Sequence, residues 1–300
     1  MSEAPKVTVG FIGLGHMGRP MTERLAARGF RVRAWNRTRE KGEGLANVVV
    51  CGSPREAATG ADVVVSSLAN DEAVRQVSLG SDGVVAGLSS GAVHVGTSTI
   101  SVGLVDALVT AHQRAGASFV AAPVLGRPDA AARGELWVLA GGDDAAIARA
   151  QPVLTALGQG QVRLGTARQA MLGKISANFV IASTIEIIAE ATTLGEKGGI
   201  PPAALVGMLT QTLFGSPIFK GYGARIAARD FEPAGFAMPL GLKDVELALD
   251  AGHELRVPLP TAALVRDHLL AALARGRESW DWAGLSSVVR EAAGLGETSK

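Results

Sequence analysis

The sequence predicts an α/β N-terminal domain with a mostly parallel sheet, followed by an all-α C-terminal domain that a long interdomain helix joins to it. Between Lys6 and about Gly165, short β-branched runs alternate with Ala-rich amphipathic segments. Apolar runs of this length between helices are typical of parallel strands buried on both faces. After Thr166 the strand pattern stops, so we predict domains at 1–165 and 166–300.

Short apolar runs bounded by turn residues are predicted as strands. They are, in chain order, VTVGFI, RVRAW, NVVVC, DVVVSSL, AVHVGTS, SFVAAP, ELWVLAGG and QVRLG. One long helix is predicted from Gln169 to about Lys197, and it ends at Gly198 and Gly199, with a Pro pair just beyond. Further helices follow, with breaks predicted at FGSP, GYG, FEPAG and RVPLP.

Composition argues against several classes of function. Lys and Arg number 29 against 28 Asp and Glu, and no long run of one sign forms a nucleic-acid or membrane patch. A small-molecule partner is therefore expected. Glu186 and Glu190 lie in the most apolar stretch, which favours a soluble helix over a membrane span. The start, MSEAPKVTVG, lacks the pattern of a signal peptide, so a cytoplasmic protein is expected.

Cysteine and histidine usage argues against metal and disulfide chemistry. Cys51 is the single cysteine, which excludes an intrachain disulfide and a Cys-rich zinc site. The histidines have no metal-ligand spacing with another His, Asp or Glu, so we interpret them as packing or surface residues and predict no metal. They are His16, His94, His112, His253 and His268.

A glycine motif follows the first predicted strand. Gly13, Gly15 and Gly18 have GxGxxG spacing, with a strand before them and a helix after them. In a Rossmann-type unit these glycines allow the tight turn, the approach of a pyrophosphate and the packing of helix on strand. The predicted cofactor-binding loop comprises Gly13, Leu14, Gly15, His16, Met17 and Gly18.

The end of the second strand indicates which dinucleotide binds. Sites for NAD usually have an acidic residue there to bond the ribose 2′-hydroxyl. This chain has Asn36, Arg37 and Thr38 instead. Arg37 can pair with a 2′-phosphate and no carboxylate repels it, so NADPH is favoured over NADH. The alternative is that Arg37 is an ordinary solvated arginine.

Lys174 and Asn178 are polar residues in an otherwise apolar helical segment. With Ile181 and Ile185 they share one helix face, and this face becomes apolar after one turn. That pattern predicts that both polar side chains point into a cleft, where desolvation or a second cation would lower a lysine pKa from its ordinary value of about 10.4. On spacing alone, a surface lysine is the commoner case.

Several motifs together resemble those of the β-hydroxyacid dehydrogenase family, which includes 3-hydroxyisobutyrate dehydrogenases, tartronate semialdehyde reductases and glyoxylate/succinic semialdehyde reductases. The motifs are GFIGLGHMGRPM, WNRT, APVLG, the Lys174 and Asn178 pair, SPIFKGYG and LKDVELAL, and the resemblance runs from Lys6 to Ala293. NRT and FKGYG look closest to the NADPH-using glyoxylate and semialdehyde reductases.

The resemblance implies roles for individual residues. It implies that Lys174 is the catalytic lysine, that Asn178 is its active-site neighbour and that Lys243 lies near nicotinamide and substrate. It places Thr99 near the cofactor, and Leu68 with Ala69 along its adenosine side. It also implies a homodimer through the helical domains.

The substrate loop departs from the family pattern. The resemblance assigns Pro123, Val124, Leu125 and Gly126 to this loop, but the family usually has a serine where this chain has Leu125. Leucine removes a hydrogen-bond donor for a substrate carboxylate. Arg127 or Arg133 is a possible replacement anchor. In the segment before Lys174, Arg168 and Ala170 also replace residues that are usually glycine.

These features predict an NADPH-dependent reductase of a small aldehyde or ketone, semialdehyde-like or glyoxylate-like, with Lys174 as proton donor. Reduction of an imine in a less polar site is one alternative, although the retained lysine weighs against it. A non-catalytic NADPH-binding protein is the other alternative, which Leu125 favours and which Lys174, Asn178 and Lys243 oppose.

Overall fold

The computed structural model describes residues 7–296, so the expectation based on MSEAPK lies outside the described residues. The chain consists of two compact units, an α/β unit and a helical unit, and they divide between Lys174 and Ile175. The sequence-based boundary near residue 165 precedes the long helix, whereas this division lies inside it. The first turns of the helix pack with the α/β unit, since the fully buried Ala170 lies against Gly141.

Six parallel strands form the main sheet of the α/β unit, in the order β3-β2-β1-β4-β5-β6, which confirms the predicted parallel sheet. The strands are β1 (Thr8–Ile12), β2 (Arg31–Trp35), β3 (Val48–Val50), β4 (Val63–Ser66), β5 (Val93–Gly96) and β6 (Ser118–Ala121). The helices between them are α1 (Gly18–Ala27), α2 (Pro54–Ala58), α3 (Asp71–Leu79), α4 (Val84–Gly87) and α5 (Val102–Arg114), and a 3₁₀ helix covers Arg39–Gly42.

The last two predicted strands lie in a second sheet of three strands. It contains β7 (Val124–Leu125), β8 (Leu136–Ala140) and β9 (Gly158–Arg163), with α6 (Pro128–Arg133) and α7 (Asp144–Leu157) as the connecting helices. β7 pairs antiparallel with β8, and β8 pairs parallel with β9. The short link through α6 returns the chain antiparallel, because a parallel return needs a longer crossover.

Both faces of the main sheet are covered by apolar residues. Val63 and Val65 join one core cluster, whereas Val64, between them, joins another cluster on the opposite face. Successive side chains of a strand point to opposite faces. This explains why the strands are continuous apolar runs rather than alternating ones.

The helical unit begins within α8 (Ala167–Lys197), which confirms the predicted long helix. Its other helices are α9 (Pro202–Gln211), α10 (Pro217–Ala228), α11 (Met238–Leu255), α12 (Pro260–Leu273) and α13 (Ser286–Ala292), with a 3₁₀ helix at Trp282–Leu285. The predicted break at GYG is wrong, because α10 continues through it. Gly223 is helical there, where a Cβ atom would lie 2.8 Å from Cγ1 of Val206 on α9.

Helix α8 is apolar but has charged residues that pair with other helices. Glu196, near its end, forms ion pairs with Arg229 and Arg290. By length and composition α8 could also cross a membrane, a test that core helices of soluble proteins pass too. Its Glu186 is buried and lies 2.9 Å from Nδ1 of His268 on α12.

Candidate active site

The predicted cofactor residues of the α/β unit follow the carboxyl ends of neighbouring strands. In the register, Ile12 pairs with Trp35 and Ser66, Ser66 pairs with Gly96, and Gly96 pairs with Ala121. The segments that begin just after these strand ends contain Gly13, Asn36, Leu68, Thr99 and Pro123. The order of strands reverses at β1 and β4 of this edge, which is where open parallel sheets bind ligands.

The glycine loop needs its glycines for different reasons. Gly13 has φ +99°, and a Cβ atom on it would lie 2.3 Å from the carbonyl oxygen of Ser67. A Cβ atom on Gly18 would lie 1.8 Å from the carbonyl oxygen of Gly13. Gly15 differs, because a Cβ atom there would meet nothing within 4 Å. The first and third glycines therefore allow the turn, and the second keeps space open beside the backbone.

The open space beside Gly15 adjoins the start of helix α1, where the diphosphate of a dinucleotide is expected to lie. Helix α1 begins at Gly18 without a side-chain cap, since the residue at its N-cap is Met17. The N–H groups in the first turn of a helix favour an anion. His16 of the loop is exposed. Open space next to an uncapped helix N-terminus is what the expected NAD(P) cofactor requires.

Asn36 fixes the glycine loop from the end of β2. Its Oδ1 accepts a hydrogen bond from the N–H of Leu14 at 2.9 Å, and its Nδ2 donates to the carbonyl oxygen of Thr38 at 2.9 Å. The side chain of Leu14 is buried in the core. Asn36 and Leu14 thus shape the loop, while Arg37 and Thr38 are exposed beside it.

The segments after β4 and β5 are tied to each other. The N–H of Leu68 donates to Oγ of Ser98 at 2.7 Å, and Oγ1 of Thr97 donates to the carbonyl oxygen of Ser66 at 2.9 Å. Leu68 Cδ2 lies 2.9 Å from the position that a Cβ atom on Gly13 would take, so this side chain covers the glycine turn. Ala69 is exposed and Thr99 is half-buried.

Two histidines form a buried chain under this edge. Nδ1 of His94 lies 2.9 Å from Nε2 of His112, Nε2 of His94 lies 2.8 Å from Oγ of Ser66, and Nδ1 of His112 lies 2.6 Å from the carbonyl oxygen of Leu108. Since that carbonyl can only accept, the bonds fix one neutral tautomer of each ring. Desolvation by burial lowers the pKa of His112 to about 4. Desolvation, and then the neighbouring His112, hold the pKa of His94 well below its ordinary value.

The predicted substrate loop lies between β6 and α6. Pro123 is buried, and its carbonyl oxygen accepts from the N–H of Leu139 at 2.9 Å. Leu125 is half-buried and pairs with Trp137. Gly126 has φ +139°, which only glycine adopts readily. The loop is therefore an ordered part of the second sheet.

Two arginines, Arg127 and Arg133, lie near the predicted substrate loop. Nη2 of Arg133 lies 3.2 Å from Asp129 and its Nε lies 2.7 Å from Glu135, so two carboxylates already compensate its charge. Arg127 is exposed at the N-cap of α6. Both arginines stay candidate anchors for a substrate anion.

Arg168 and Ala170, which replace the glycines usual in the resembled family, contact other residues of the α/β unit. Arg168 forms an ion pair with Asp106 of α5. A Cβ atom on Gly141 would lie 2.7 Å from Cβ of Ala170, so Ala170 fits because its neighbour is a glycine. Both replacements are thus accommodated by packing and pairing within this unit.

Lys174 and Asn178 lie one turn apart on α8, the lysine half-buried and the asparagine 5% exposed. Nδ2 of Asn178 donates to Oδ2 of Asp244 on α11 at 2.5 Å. Nζ of Lys243 lies 2.8 Å from Oδ1 of the same carboxylate. The helical unit therefore brings together Asn178 and Lys243, two predicted site residues, around one buried acid.

Asp244 is the member of this cluster that we did not predict. It is 3% exposed and directly follows Lys243 in LKDVELAL. An acid at an apolar position of an amphipathic helix was the available signal, but the sequence does not indicate its partner on α8. Among residues 7–296, no group of three or more His, Cys, Asp or Glu residues is placed to hold a metal ion.

Comparison with known families adds independent evidence. Residues 8–173 match the family model for the NAD-binding domain of 6-phosphogluconate dehydrogenase. Residues 169–289 match the model described as the NAD-binding domain of NADP-dependent 3-hydroxyisobutyrate dehydrogenase. The chain belongs to the β-hydroxyacid dehydrogenase family. This family membership confirms the resemblance that the motifs indicated.

Individual relatives match over nearly the whole chain. The Bacillus subtilis (strain 168) uncharacterized oxidoreductase YfjR is 38% identical, covering 94% of this chain and 99% of its own length. The 3-sulfolactaldehyde reductase of Escherichia coli (strain K12) is 33% identical, covering 96% and 97%. The structure of Mycobacterium tuberculosis 3-hydroxyisobutyrate dehydrogenase with L-serine has a TM-score of 0.86 at 29% identity, covering 95% and 99%.

The β-hydroxyacid dehydrogenase family fixes the general activity of the protein. It is an NAD(P)-dependent oxidoreductase that acts on hydroxyl or carbonyl groups, as predicted. Its relatives act on small carbonyl compounds, as their names state. The roles of the individual site residues remain predictions.

Proposed function

We propose that the protein is an NADPH-dependent reductase of a small, semialdehyde-like or glyoxylate-like aldehyde or ketone, with Lys174 as proton donor. The observation that carries the proposal is the half-buried Lys174 one helical turn before Asn178, whose amide is held by Asp244. A buried asparagine with a fixed orientation is suited to holding a polar ligand atom beside a lysine.

The proposed reaction adds hydride to the carbonyl carbon and a proton to the carbonyl oxygen, which gives an alcohol. The bound nicotinamide supplies the hydride. Lys174, as ammonium, donates the proton to the developing alkoxide, and its neutral amine recovers a proton from solvent. The second N–H of Asn178 donates a hydrogen bond to the same oxygen as negative charge develops on it.

The preference for NADPH rests on the end of β2. Arg37 and Thr38 are exposed next to the glycine loop, and Asn36, which stands before them, carries no charge to repel a phosphate. The family model matched by the second half of the chain is described as NADP-dependent. We therefore expect Arg37→Ser to weaken NADPH binding much more than NADH binding. Equal losses for both cofactors would contradict a role of Arg37 at the 2′-phosphate.

The proposal is tested by NADPH consumption with a substrate panel. The panel contains glyoxylate, succinic semialdehyde, uncharged aldehydes and cyclic imines. We expect turnover of the acid-bearing aldehydes. Turnover of imines alone would replace this function by imine reduction. NADPH binding without turnover of any compound would favour a cofactor-binding protein, which Leu125 would then help to explain.

Substitution of Arg127 tests how an acid-bearing substrate is held. Because the side chain of Leu125 has no hydrogen-bond donor for a carboxylate, Arg127→Gln is expected to raise KM for glyoxylate. Arg133 lies on the next helix and forms ion pairs with Asp129 and Glu135. Arg133→Gln is the matched control and should leave KM nearly unchanged. The reverse order of the two effects would mean that the substrate anion is held at Arg133.

We further propose that the protein is a homodimer that pairs through α8. Val180, Ile187 and Leu194 are 59%, 56% and 76% exposed and recur at seven-residue spacing. The smaller residues Thr184 and Ala191 lie between them on the helix. Large and small residues alternating along one stripe suit a second copy of the same helix, with large side chains of one copy over small ones of the other.

The dimer proposal is tested by light scattering coupled to gel filtration. Ile187→Glu, in the middle of the stripe, is expected to yield a monomer. Leu255→Glu replaces an apolar residue of α11 that is 50% exposed and is the matched control. A dimer that survives Ile187→Glu, or a wild-type monomer, would overturn the proposal.

A further inference from the structure

We propose that Asp244 is a positioning residue of the active site, which sets the orientation of the Asn178 amide and holds the Lys243 ammonium beside it. The effect on turnover rests on the proposed function. The positioning itself can be tested without turnover.

The burial of Asp244 requires an explanation. A carboxylate that is 3% exposed loses its hydration, and this is costly unless partners replace the water. Oδ2 accepts a hydrogen bond from Asn178 at 2.5 Å. Oδ1 lies 2.8 Å from Nζ of Lys243 without the alignment of a hydrogen bond, so this second contact is mainly one of charge.

A second buried acid in the same unit shows what a structural role looks like. Asp281 is fully buried and accepts hydrogen bonds from the backbone N–H groups of Gly235, Phe236 and Ala283. Asp281 therefore fixes the backbone conformation of the two segments that contain Gly235 and Ala283. Asp244 contacts side chains instead, and these belong to two residues predicted for the active site. This difference points to positioning of functional groups rather than to stabilisation of a loop.

The orientation of Asn178 follows from the chemistry of its amide. Nδ2 carries two hydrogens, whereas Oδ1 can only accept. A flipped amide would put Oδ1 against the Asp244 carboxylate and leave two acceptors facing each other without a proton. One N–H therefore points to Asp244, and the second N–H is held at a fixed angle in the amide plane. That second donor is the one the proposed reaction needs.

The structural claim is tested by nuclear magnetic resonance with isotope label only in asparagine. The chain has four asparagines, Asn36, Asn47, Asn70 and Asn178, so each side-chain amide can be identified by substitution. We expect the Asn178 amide pair to exchange slowly with solvent and to move on Asp244→Asn. Asp250→Asn, an exposed acid on the same helix, is the control and should leave it in place.

Clear outcomes would overturn the claim. An Asn178 amide pair that exchanges as fast as in an unfolded peptide, or that does not move on Asp244→Asn, would show that Asp244 does not hold it. If Asp244→Asn does not fold, the wild-type exchange rate decides alone. This part of the experiment gives a result even if no carbonyl compound is turned over.

The effect on turnover is tested by a double-mutant cycle. Because hydrogen bonds to charged groups are the stronger ones, Asp244→Asn is expected to lower kcat about 10- to 100-fold with a smaller change in KM. In the Asn178→Ala background the same substitution should lower kcat clearly less, since the part of its effect that acts through Asn178 is already lost and only the part through Lys243 is left. Fully multiplicative losses would mean that Asp244 does not act through Asn178.

Discussion

Two regions with predicted site residues are built differently. The glycine edge is the loop Gly13–Gly18 at the carboxyl end of β1 in the α/β unit, and the Asn178 cluster is Asn178, Lys243 and Asp244 in the helical unit. At the glycine edge the backbone forms the site, because Gly13 allows a tight turn and Gly15 leaves the space beside the backbone open. In the Asn178 cluster, three side chains from two helices depend on each other, with Asn178 and Asp244 separated by 66 positions in sequence. The first arrangement depends on the spacing of one short motif, whereas the second depends on the tertiary fold.

This difference determines what each region tolerates. A backbone site is damaged by any added atom that fills the space or strains the turn. A side-chain cluster is damaged by changes in charge or hydrogen bonding even when the shape is kept. The glycine loop is therefore tested by one substitution that only fills open space and one that also strains the backbone. The buried side chains are tested by substitutions that change charge but keep the shape.

The largest effects are expected in the glycine loop. Gly13→Ala introduces a Cβ atom 2.3 Å from the Ser67 carbonyl oxygen at a positive φ, so we expect a loss of roughly 3 kcal/mol or more in folding free energy. Gly15→Ala meets nothing in the fold and should leave the melting temperature nearly unchanged. It should nevertheless weaken NADPH binding at least about tenfold, because it fills the space for the diphosphate. Calorimetry and titration of cofactor fluorescence measure the two effects.

The control for Gly15→Ala is Gly103→Ala. Gly103 is exposed on α5, and an added Cβ atom there also meets nothing within 4 Å. It should leave cofactor affinity unchanged and stabilise the helix slightly. Tight NADPH binding by Gly15→Ala would show that the open space is not the cofactor site.

The next effect concerns the buried histidines of the α/β unit. The pKa of His112 falls from an ordinary 6.5 to about 4 in the fold, because burial disfavours the charged ring. As pH falls below 6.5 the unfolded chain binds protons that the folded chain does not, so stability is lost on acidification. The loss for this one group approaches roughly 3 kcal/mol near the folded pKa. Urea unfolding across this pH range should show it.

Substitution separates this effect from general acid unfolding. His112→Gln removes one titrating ring and should flatten the acid side of the stability profile, even though it lowers stability at neutral pH. His253→Gln replaces an exposed histidine and should leave the slope unchanged. If the His112→Gln profile keeps the wild-type slope, these rings are not responsible for the acid loss.

The smallest effect concerns Glu186 of the helical unit and has the opposite sign. Desolvation raises its pKa, although His268 partly offsets the shift. A raised pKa means that the fold favours the protonated carboxyl group. The stability that the protonated Glu186 contributes is therefore lost as pH rises through its pKa in the folded protein. Glu186→Gln is therefore expected to stabilise the protein at neutral pH by about 1 kcal/mol. The exposed Glu190→Gln is the control, and thermal melts compare the two.

Most of the fold could be predicted from the sequence, because it depends on local patterns. The continuous apolar runs of β4 and β5 and the glycines after α8 each specify an element and its limits. The second sheet was not predicted, because a strand looks the same whichever sheet it joins. The GYG segment has the glycines of a helix break, and the packing of Gly223 against Val206, which keeps it helical, appears only in the fold.

The candidate site was predictable to a different degree in its two regions. The glycine loop is contiguous, so spacing alone indicated it, and the register of β1, β4 and β5 explains why Leu68 and Thr99 follow the same edge. The role of Asn36 in holding Leu14 could not be foreseen, because a side chain at a strand end has several possible partners. The His94 and His112 chain was missed for the same reason, since its bonds join separate elements.

Lys174 is proposed to protonate the substrate oxygen, and this role is tested by kcat for NADPH-dependent reduction of the best substrate of the panel by Lys174→Ala. We expect kcat to fall about 10²- to 10⁴-fold while NADPH affinity stays close to that of wild type. Lys197→Ala, at an exposed lysine of the same helix, should retain full activity. Turnover by Lys174→Ala at the wild-type rate would show that Lys174 is not the proton donor.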